Sequence, residues 1–154
     1  RDVCCALPMD AARLARLLAG GQSDREAAYA ALLGSEAWEE QVVLANYRLS
    51  RMSRFIARDS TLANPSWETA HKHFHMTLIA KCGSSIMLRF CNQLYDQNIR
   101  YRQLSAKKAY PERDIAEEHN AICDAVLARE SQKAVDLLVC HYQNTGDFVL
   151  KQLP

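Results

Sequence analysis

A chain of 154 residues is long enough for one domain with a sizeable core, and we expect residues 1–154 to form that domain. Hydrophobic residues make up 49% and charged residues 24%, as in ordinary globular proteins. A formal net charge of +1 argues against bulk electrostatic binding to nucleic acid or membranes. There is no membrane-length apolar run, no signal-peptide pattern and no CxxC cysteine pair, so we expect a cytoplasmic protein with reduced thiols.

Apolar residues recur along the chain at helical spacing, and the alternation typical of strands is almost absent. The pattern predicts an all-α fold, an antiparallel bundle of six or seven helices without a sheet. Two helices are predicted over residues 8–19 and 23–34. The third is predicted to begin after Ser35 and to run to about Arg58, because apolar residues from Trp38 to Phe55 repeat every three or four positions.

Four more helices are predicted, over residues 67–82, 84–106, 111–129 and 131–150. Asn64-Pro65-Ser66 is typical of a helix start, and Gly83 is typical of a helix end. The connections between these helices are short, so neighbouring helices are expected to pack antiparallel.

The positions of the five histidines carry most of the chemical information. His71 and His75 are four residues apart, which places both on one helix face about 6 Å apart along the axis, as two ligands of one metal require. His119 and His141 fall on the core-facing stripes of two later helices, whereas His73 falls on a different face. Because burying several polar rings is costly, the pattern favours a shared divalent cation, although a lone inward histidine is more often a hydrogen-bonded core residue.

A second polar cluster lies late in the helix predicted over residues 84–106, and consists of Tyr95, Asp96, Arg100, Tyr101 and Arg102. Guanidinium and phenol groups near a metal suit a carboxylate ligand. The alternative is a solvated helix end with ordinary ion pairs. An earlier basic run is interpreted as the solvated face of an amphipathic helix; it consists of Arg48, Arg51, Arg54 and Arg58.

These residues resemble the FCD domain, the C-terminal effector-binding domain of the FadR-type branch of GntR-family transcriptional regulators. The three histidine positions of that family match Phe74-His75, Glu118-His119 and Cys140-His141. The run from Trp67 to Ser84 looks like the subgroup that includes the carbon-starvation-induced regulators, which respond to small dicarboxylates. So do Leu94-Tyr95-Asp96-Gln97 and Arg100-Tyr101-Arg102. The resemblance covers residues 38–150 approximately.

The resemblance implies a non-enzymatic sensor domain with one divalent metal, held by His71, His75, His119 and His141. Many family members have Asp where this chain has His71, and the added nitrogen ligand favours zinc or nickel. The effector would be a small organic acid, a dicarboxylate or hydroxy acid, whose far end is held by Arg102 and Tyr101, with Arg100 or Gln97 as further candidates. The resemblance also implies a homodimer, and DNA binding through an N-terminal winged-helix domain that is absent from this chain.

Two alternative functions stay open at this point. A metal-dependent hydrolase on a helical scaffold is permitted by an open metal position. It also needs a general base, and Glu118, which neighbours a ligand histidine, is expected to point elsewhere. The second alternative is an interaction domain whose metal site is purely structural, with four histidines and no open position.

Overall fold

The computed structural model describes residues 35–56, 59–109 and 113–152, and within them the side chains of 35–56, 62–99 and 113–146. The helices in this part are α1 (Glu36–Ser50), α2 (Pro65–Leu78), α3 (Ser85–Ala109), α4 (Ile115–Leu127) and α5 (Ser131–Gln152). Two short strands, β1 (Phe55–Ile56) and β2 (Asp59–Ala63), form an antiparallel hairpin between α1 and α2. The predicted all-α fold class is confirmed. The helices predicted over residues 8–19 and 23–34 lie outside the described residues.

The hairpin corrects two details of the sequence-based prediction, the helix that runs to about Arg58 and the absence of any sheet. Helix α1 ends at Ser50. Two hydrogen bonds of Asn64 then hold the segment after α1 next to the start of α2. The Asn64 backbone N–H donates to the Arg54 carbonyl at 2.8 Å, and its side-chain amide donates to the Ser53 carbonyl at 2.8 Å. The apolar spacing in this segment was compatible with a helix, but aromatic and β-branched residues also favour strands.

The ends of the later helices follow local capping chemistry. The Asn64 side chain accepts a hydrogen bond from the Ser66 backbone N–H at 3.0 Å, and Pro65 occupies the first turn of α2. Helix α2 ends at Leu78, four residues before the predicted end at Cys82. Turns follow it, and Gly83 has a φ of 72°, a left-handed conformation that glycine adopts at low cost. Asp114 caps the start of α4 by accepting from the Glu117 backbone N–H at 2.9 Å, so α4 begins four residues later than predicted.

The hydrophobic core lies between α1, α2, α4 and the start of α5. Its buried members are Trp38, Val42, Ala45, Leu49, Trp67, Phe74, Leu78, Ile122, Cys123, Ala125, Val126 and Ala134. Trp38 also ties α1 to the end of α2, because its indole N–H donates to the Thr77 carbonyl at 2.8 Å. Helix α1 packs against α2 and α4, and α5 packs against α3 and α4. This packing turns the histidine-bearing faces of α2, α4 and α5 towards one interior.

Among the described helices, none combines the length and the apolar character needed to cross a lipid bilayer.

Candidate metal centre

The four histidines predicted as metal ligands meet in the interior of the domain. His71 and His75 come from α2, His119 from α4 and His141 from α5, and each is at most 4% exposed. One potential ligand atom from each ring lies within 4.8 Å of the corresponding atom of every other ring. The predicted convergence of imidazoles from three helices is therefore present, and each ring sits where water cannot solvate it.

Ordinary hydrogen bonds cannot satisfy every ring nitrogen of the cluster separately. His71 Nε2 lies 3.0 Å from His75 Nε2 and 3.1 Å from His119 Nε2. A ring nitrogen carries either one N–H or one lone pair. His71 Nε2 must therefore share its single proton or its single lone pair between the two contacts. Histidine nitrogens bind zinc at about 2.0–2.1 Å, which places neighbouring ligand nitrogens about 3 Å apart. The residues therefore fit one shared divalent cation.

Two tyrosines contact Nδ1 of the α2 histidines, the ring nitrogen that is not shared with the other histidines of the cluster and is called the outer nitrogen below. The Tyr95 hydroxyl on α3 hydrogen-bonds His71 Nδ1, and the Tyr142 hydroxyl on α5 lies 3.2 Å from His75 Nδ1. A phenol oxygen can accept from an imidazole N–H. With the proton on Nδ1, the Nε2 lone pair of each ring is available to a metal, and the tyrosine fixes the ring's orientation.

The outer nitrogen of His141 is held by a carboxylate. Glu118 Oε2 lies 2.6 Å from His141 Nδ1. Burial alone would raise the pKa of Glu118, but hydrogen bonds from His141 and Arg113, together with the positive charge of Arg113, outweigh burial and lower this pKa to about 2. An ionised carboxylate only accepts hydrogen bonds, so His141 must donate from Nδ1. Its Nε2 is left with a lone pair, as metal binding requires.

Arg113 anchors this carboxylate to two helices. Its Nε and Nη2 atoms donate to the two oxygens of Glu118, each at 2.5 Å, a bidentate arrangement that also fixes geometry. Its Nη2 donates to the His141 carbonyl at 2.8 Å, and its Nη1 donates to Thr145 Oγ1 at 2.9 Å. Arg113 therefore joins the start of α4 to the middle of α5 at the histidine cluster.

Burial also determines the protonation of His119. Its pKa is lowered to about 2, mainly by burial and to a smaller extent by nearby positive charge such as that of Arg113. Phe74, which is fully buried, lies edge-on to the His119 ring with the centroids 5.2 Å apart. His119 is therefore neutral at physiological pH and offers a lone pair to a metal.

The structure places the other sequence-predicted residues differently. His73 is exposed, as its helix face predicted. Gln97 lies on α3 and is exposed. Arg100, Tyr101 and Arg102 lie in the later turns of α3, and their side chains are outside the described part. The roles of Tyr142, Arg113 and Glu118 were missed from the sequence, because residues separated by 23, 28 or 67 positions give no local signal that they contact each other.

A cavity of about 230 Å³ borders the histidine cluster at His119. Its other lining residues are Asn46, Leu49, Ser50, Met52, Arg54, Phe55, Trp67, Arg113, Ile115 and Ala116. The Arg54 guanidinium carbon lies 4.9 Å from the centroid of the Trp67 ring, and Trp67 in turn stacks on His71 with a centroid distance of 4.5 Å. Arg54 was interpreted from the sequence as part of a solvated helix face, and that interpretation is wrong, since Arg54 follows α1 and lines a cavity.

The chain is similar to two known HTH-type proteins. It is 38% identical to the HTH-type transcriptional regulator BphR of Paraburkholderia xenovorans (strain LB400) over 114 residues, which cover 74% of this chain and 46% of BphR. It is 29% identical to the HTH-type transcriptional repressor GlaR of Escherichia coli (strain K12) over 112 residues, which cover 70% of this chain and 50% of GlaR. The chain thus spans about half the length of these relatives. No solved structure matches it.

The family comparison covers the residues of the site. The model of the FCD domain family matches residues 24–144, a range that contains the four clustered histidines and the side chains that hold their outer nitrogens. The chain therefore belongs to the FCD domain family.

Proposed function

We propose that this chain is the effector-binding domain of an HTH-type transcriptional regulator, and that it senses a small organic acid through a bound divalent metal. One observation carries the proposal: four buried imidazoles converge, and Tyr95, Tyr142 and Glu118 hold the outer nitrogens of three of them. Such outer partners are typical of metal-ligating histidines. The printed names of BphR and GlaR support the regulatory half of the proposal.

The donor set favours zinc or nickel, and the charge of the site favours an anionic ligand. His71, His75, His119 and His141 would hold the metal, and imidazole nitrogens suit zinc and nickel better than magnesium or calcium. Four neutral rings do not neutralise a divalent ion, and Glu118 is already paired with Arg113. The metal would supply a buried positive charge to which an effector carboxylate can bind. A long acyl chain would gain nothing from such a site and would leave its charge unpaired.

The far end of the effector needs a cationic partner of its own. Arg102 and Arg100, with Tyr101 and Gln97 beside them, are the partners that the family resemblance implies, and they stay part of the proposal. Effector binding would act on DNA-binding domains outside this chain through different affinities for two arrangements of a homodimeric regulator.

Glu118 bears on the hydrolase alternative. A general base must be able to accept a proton from a metal-bound water near neutral pH. The carboxylate of Glu118 is held by His141 and by Nε and Nη2 of Arg113, and its pKa is about 2. Its bonding suits the orientation of a histidine and disfavours proton transfer, which supports a binding function.

The proposal is tested by calorimetric titration of zinc-loaded and metal-stripped protein with succinate, glutarate, 2-oxoglutarate, malate and citrate. We expect at least one of these acids to bind the loaded protein and to lose most of its affinity when the metal is removed. Equal binding to both forms, or a preference for long-chain acyl compounds, would contradict the proposal. A metal-loaded protein that binds none of the acids would favour the purely structural metal site.

A further inference from the structure

The cavity beside His119 has the shape and chemistry of a small-ligand site. Its volume of about 230 Å³ is below the range of about 300–1,000 Å³ that holds drug-sized ligands, so it suits a molecule of a few carbon atoms. Asn46 and Ser50 supply polar groups to its wall, and Leu49, Met52 and Phe55 supply apolar surface. A short methylene chain with a polar group at each end matches such a lining.

Two arginines, Arg113 and Arg54, lie in the cavity wall at different positions. Arg113 lies at the histidine cluster itself, where it holds both oxygens of Glu118 and the His141 carbonyl, so it is not placed to bind the far end of a ligand that starts at the metal. Arg54 lies over the face of Trp67. A guanidinium in that position keeps its N–H groups in the plane of the group, from which it can bind a carboxylate in bidentate fashion.

The backbone holds Arg54 in place independently of its side chain. Asn64 binds the carbonyls of Ser53 and Arg54 at 2.8 Å each, and Trp67 follows Asn64 by less than one helical turn. Trp67 stacks on His71 with an interplanar angle of 18°. The cation is therefore fixed to the same helix start that positions a histidine of the cluster, and the cavity lies between Arg54 and His119.

We propose that this cavity binds the effector's second carboxylate, with Arg54 as its cationic partner. This inference rests on the proposed function, because it assigns the first carboxylate to the metal. It places the anchor on the segment between α1 and β1, in the cavity that borders His119. An acid with two carboxylates would then span from the histidine cluster to Arg54, whereas a monocarboxylate of equal length would make only the first contact.

The test is calorimetric titration of zinc-loaded protein with glutarate and with butyrate, which lacks the second carboxylate. We expect Arg54→Gln to weaken glutarate binding at least roughly tenfold, as for loss of a hydrogen-bonded charge, and to leave butyrate binding within about twofold. Arg51→Gln is the matched control: Arg51 is exposed three residues earlier and is not in the cavity wall. Arg102→Ala and Arg100→Ala are measured alongside.

A second variant tests the cavity without altering either arginine. Ala116 lines the cavity but is exposed, so Ala116→Phe occupies the space without a core rearrangement. We expect it to weaken glutarate binding at least roughly tenfold while zinc content and melting temperature stay as in the wild type. Full glutarate affinity in either Arg54→Gln or Ala116→Phe would overturn the inference and leave the proposed function standing. Absence of metal-dependent acid binding in the wild type would overturn both.

Discussion

Glu118 Oε2 lies 2.6 Å from His141 Nδ1, and Arg113 holds the same carboxylate by both of its oxygens. Because the carboxylate is ionised, it fixes the proton of His141 on Nδ1. The lone pair of Nε2 is then available inside the cluster. The proposed metal site therefore depends on residues that would not themselves touch the metal.

Glu118→Gln should lower zinc affinity by about 10–100-fold, the usual effect of losing a partner that orients a ligand histidine. The amide is similar in size, but it neither carries the charge that stabilises the His141 N–H donor nor pairs with Arg113. Zinc affinity is measured by competition with a chromophoric chelator. Glu117→Gln is the control, because Glu117 is exposed and contributes its backbone N–H to the cap of α4. Wild-type affinity in Glu118→Gln would show that the carboxylate does not support the site.

His141→Ala should abolish most of the thermal stabilisation that zinc or nickel gives the wild-type domain. A ligand that binds only the folded state at one hundred times its dissociation constant stabilises that state by about 2.7 kcal/mol, and loss of one of four ligands removes most of that effect. Differential scanning fluorimetry with and without added metal provides the measurement. His73→Ala, on the exposed side of α2, should retain the full metal-dependent shift. A shift of wild-type size in His141→Ala would remove His141 from the ligand set.

The sequence predicted the histidine cluster because its signal is local. The spacing of His71 and His75, and the apolar stripes that contain His119 and His141, follow from helical geometry within single helices. Burial of three such stripes in one core was enough to bring the rings together. The predicted start of α2 at Asn64 has the same local origin, in capping, whereas the predicted end at Cys82 is wrong because α2 ends at Leu78.

What the sequence could not predict depends on contacts between distant segments. The hairpin after α1 forms because Asn64 binds the carbonyls of Ser53 and Arg54, and helical spacing in that segment gave no sign of this. The same hairpin places the Arg54 guanidinium over the Trp67 ring. Arg113 lies 28 residues from His141, and Tyr142 lies 67 residues from His75, so their contacts are visible only once the helices have packed.

The free energy of unfolding of the metal-stripped domain should fall as the pH is lowered from 7 towards 5. The pKa of His119 is about 2 in the folded domain against an ordinary value of 6.5. Below pH 6.5 the unfolded chain therefore takes up a proton at His119 that the folded domain does not, and proton uptake favours unfolding. The slope from this group approaches about 1.4 kcal/mol per pH unit. Glu118, whose folded pKa is also about 2, adds to the loss only below its ordinary value of 4.5.

This pH dependence is measured by urea unfolding at several pH values in the presence of a chelator. His119→Gln should flatten the curve between pH 7 and 5, and His73→Gln should not. If His119→Gln keeps the wild-type slope, the lowered pKa of His119 is not the cause of acid sensitivity.

Trp38→Phe should destabilise the domain by about 1–3 kcal/mol, because it leaves the buried Thr77 carbonyl without its indole donor and removes part of a side chain that is 1% exposed. Urea unfolding at neutral pH provides the measurement. Tyr47→Phe, at a position on α1 that is 60% exposed, should change the unfolding free energy by less than about 0.5 kcal/mol. Equal effects of the two substitutions would mean that Trp38 does not link α1 to α2.

The central claim is that His71, His75, His119 and His141 together hold one divalent metal. The most direct test is elemental mass spectrometry of the wild-type domain and of a His71→Ala/His119→Ala variant, each saturated with zinc or nickel and then desalted. We expect one equivalent of metal per chain in the wild type and close to none in the variant, with both proteins folded by circular dichroism. A wild-type domain without metal, or a folded variant with the wild-type amount, would contradict the claim.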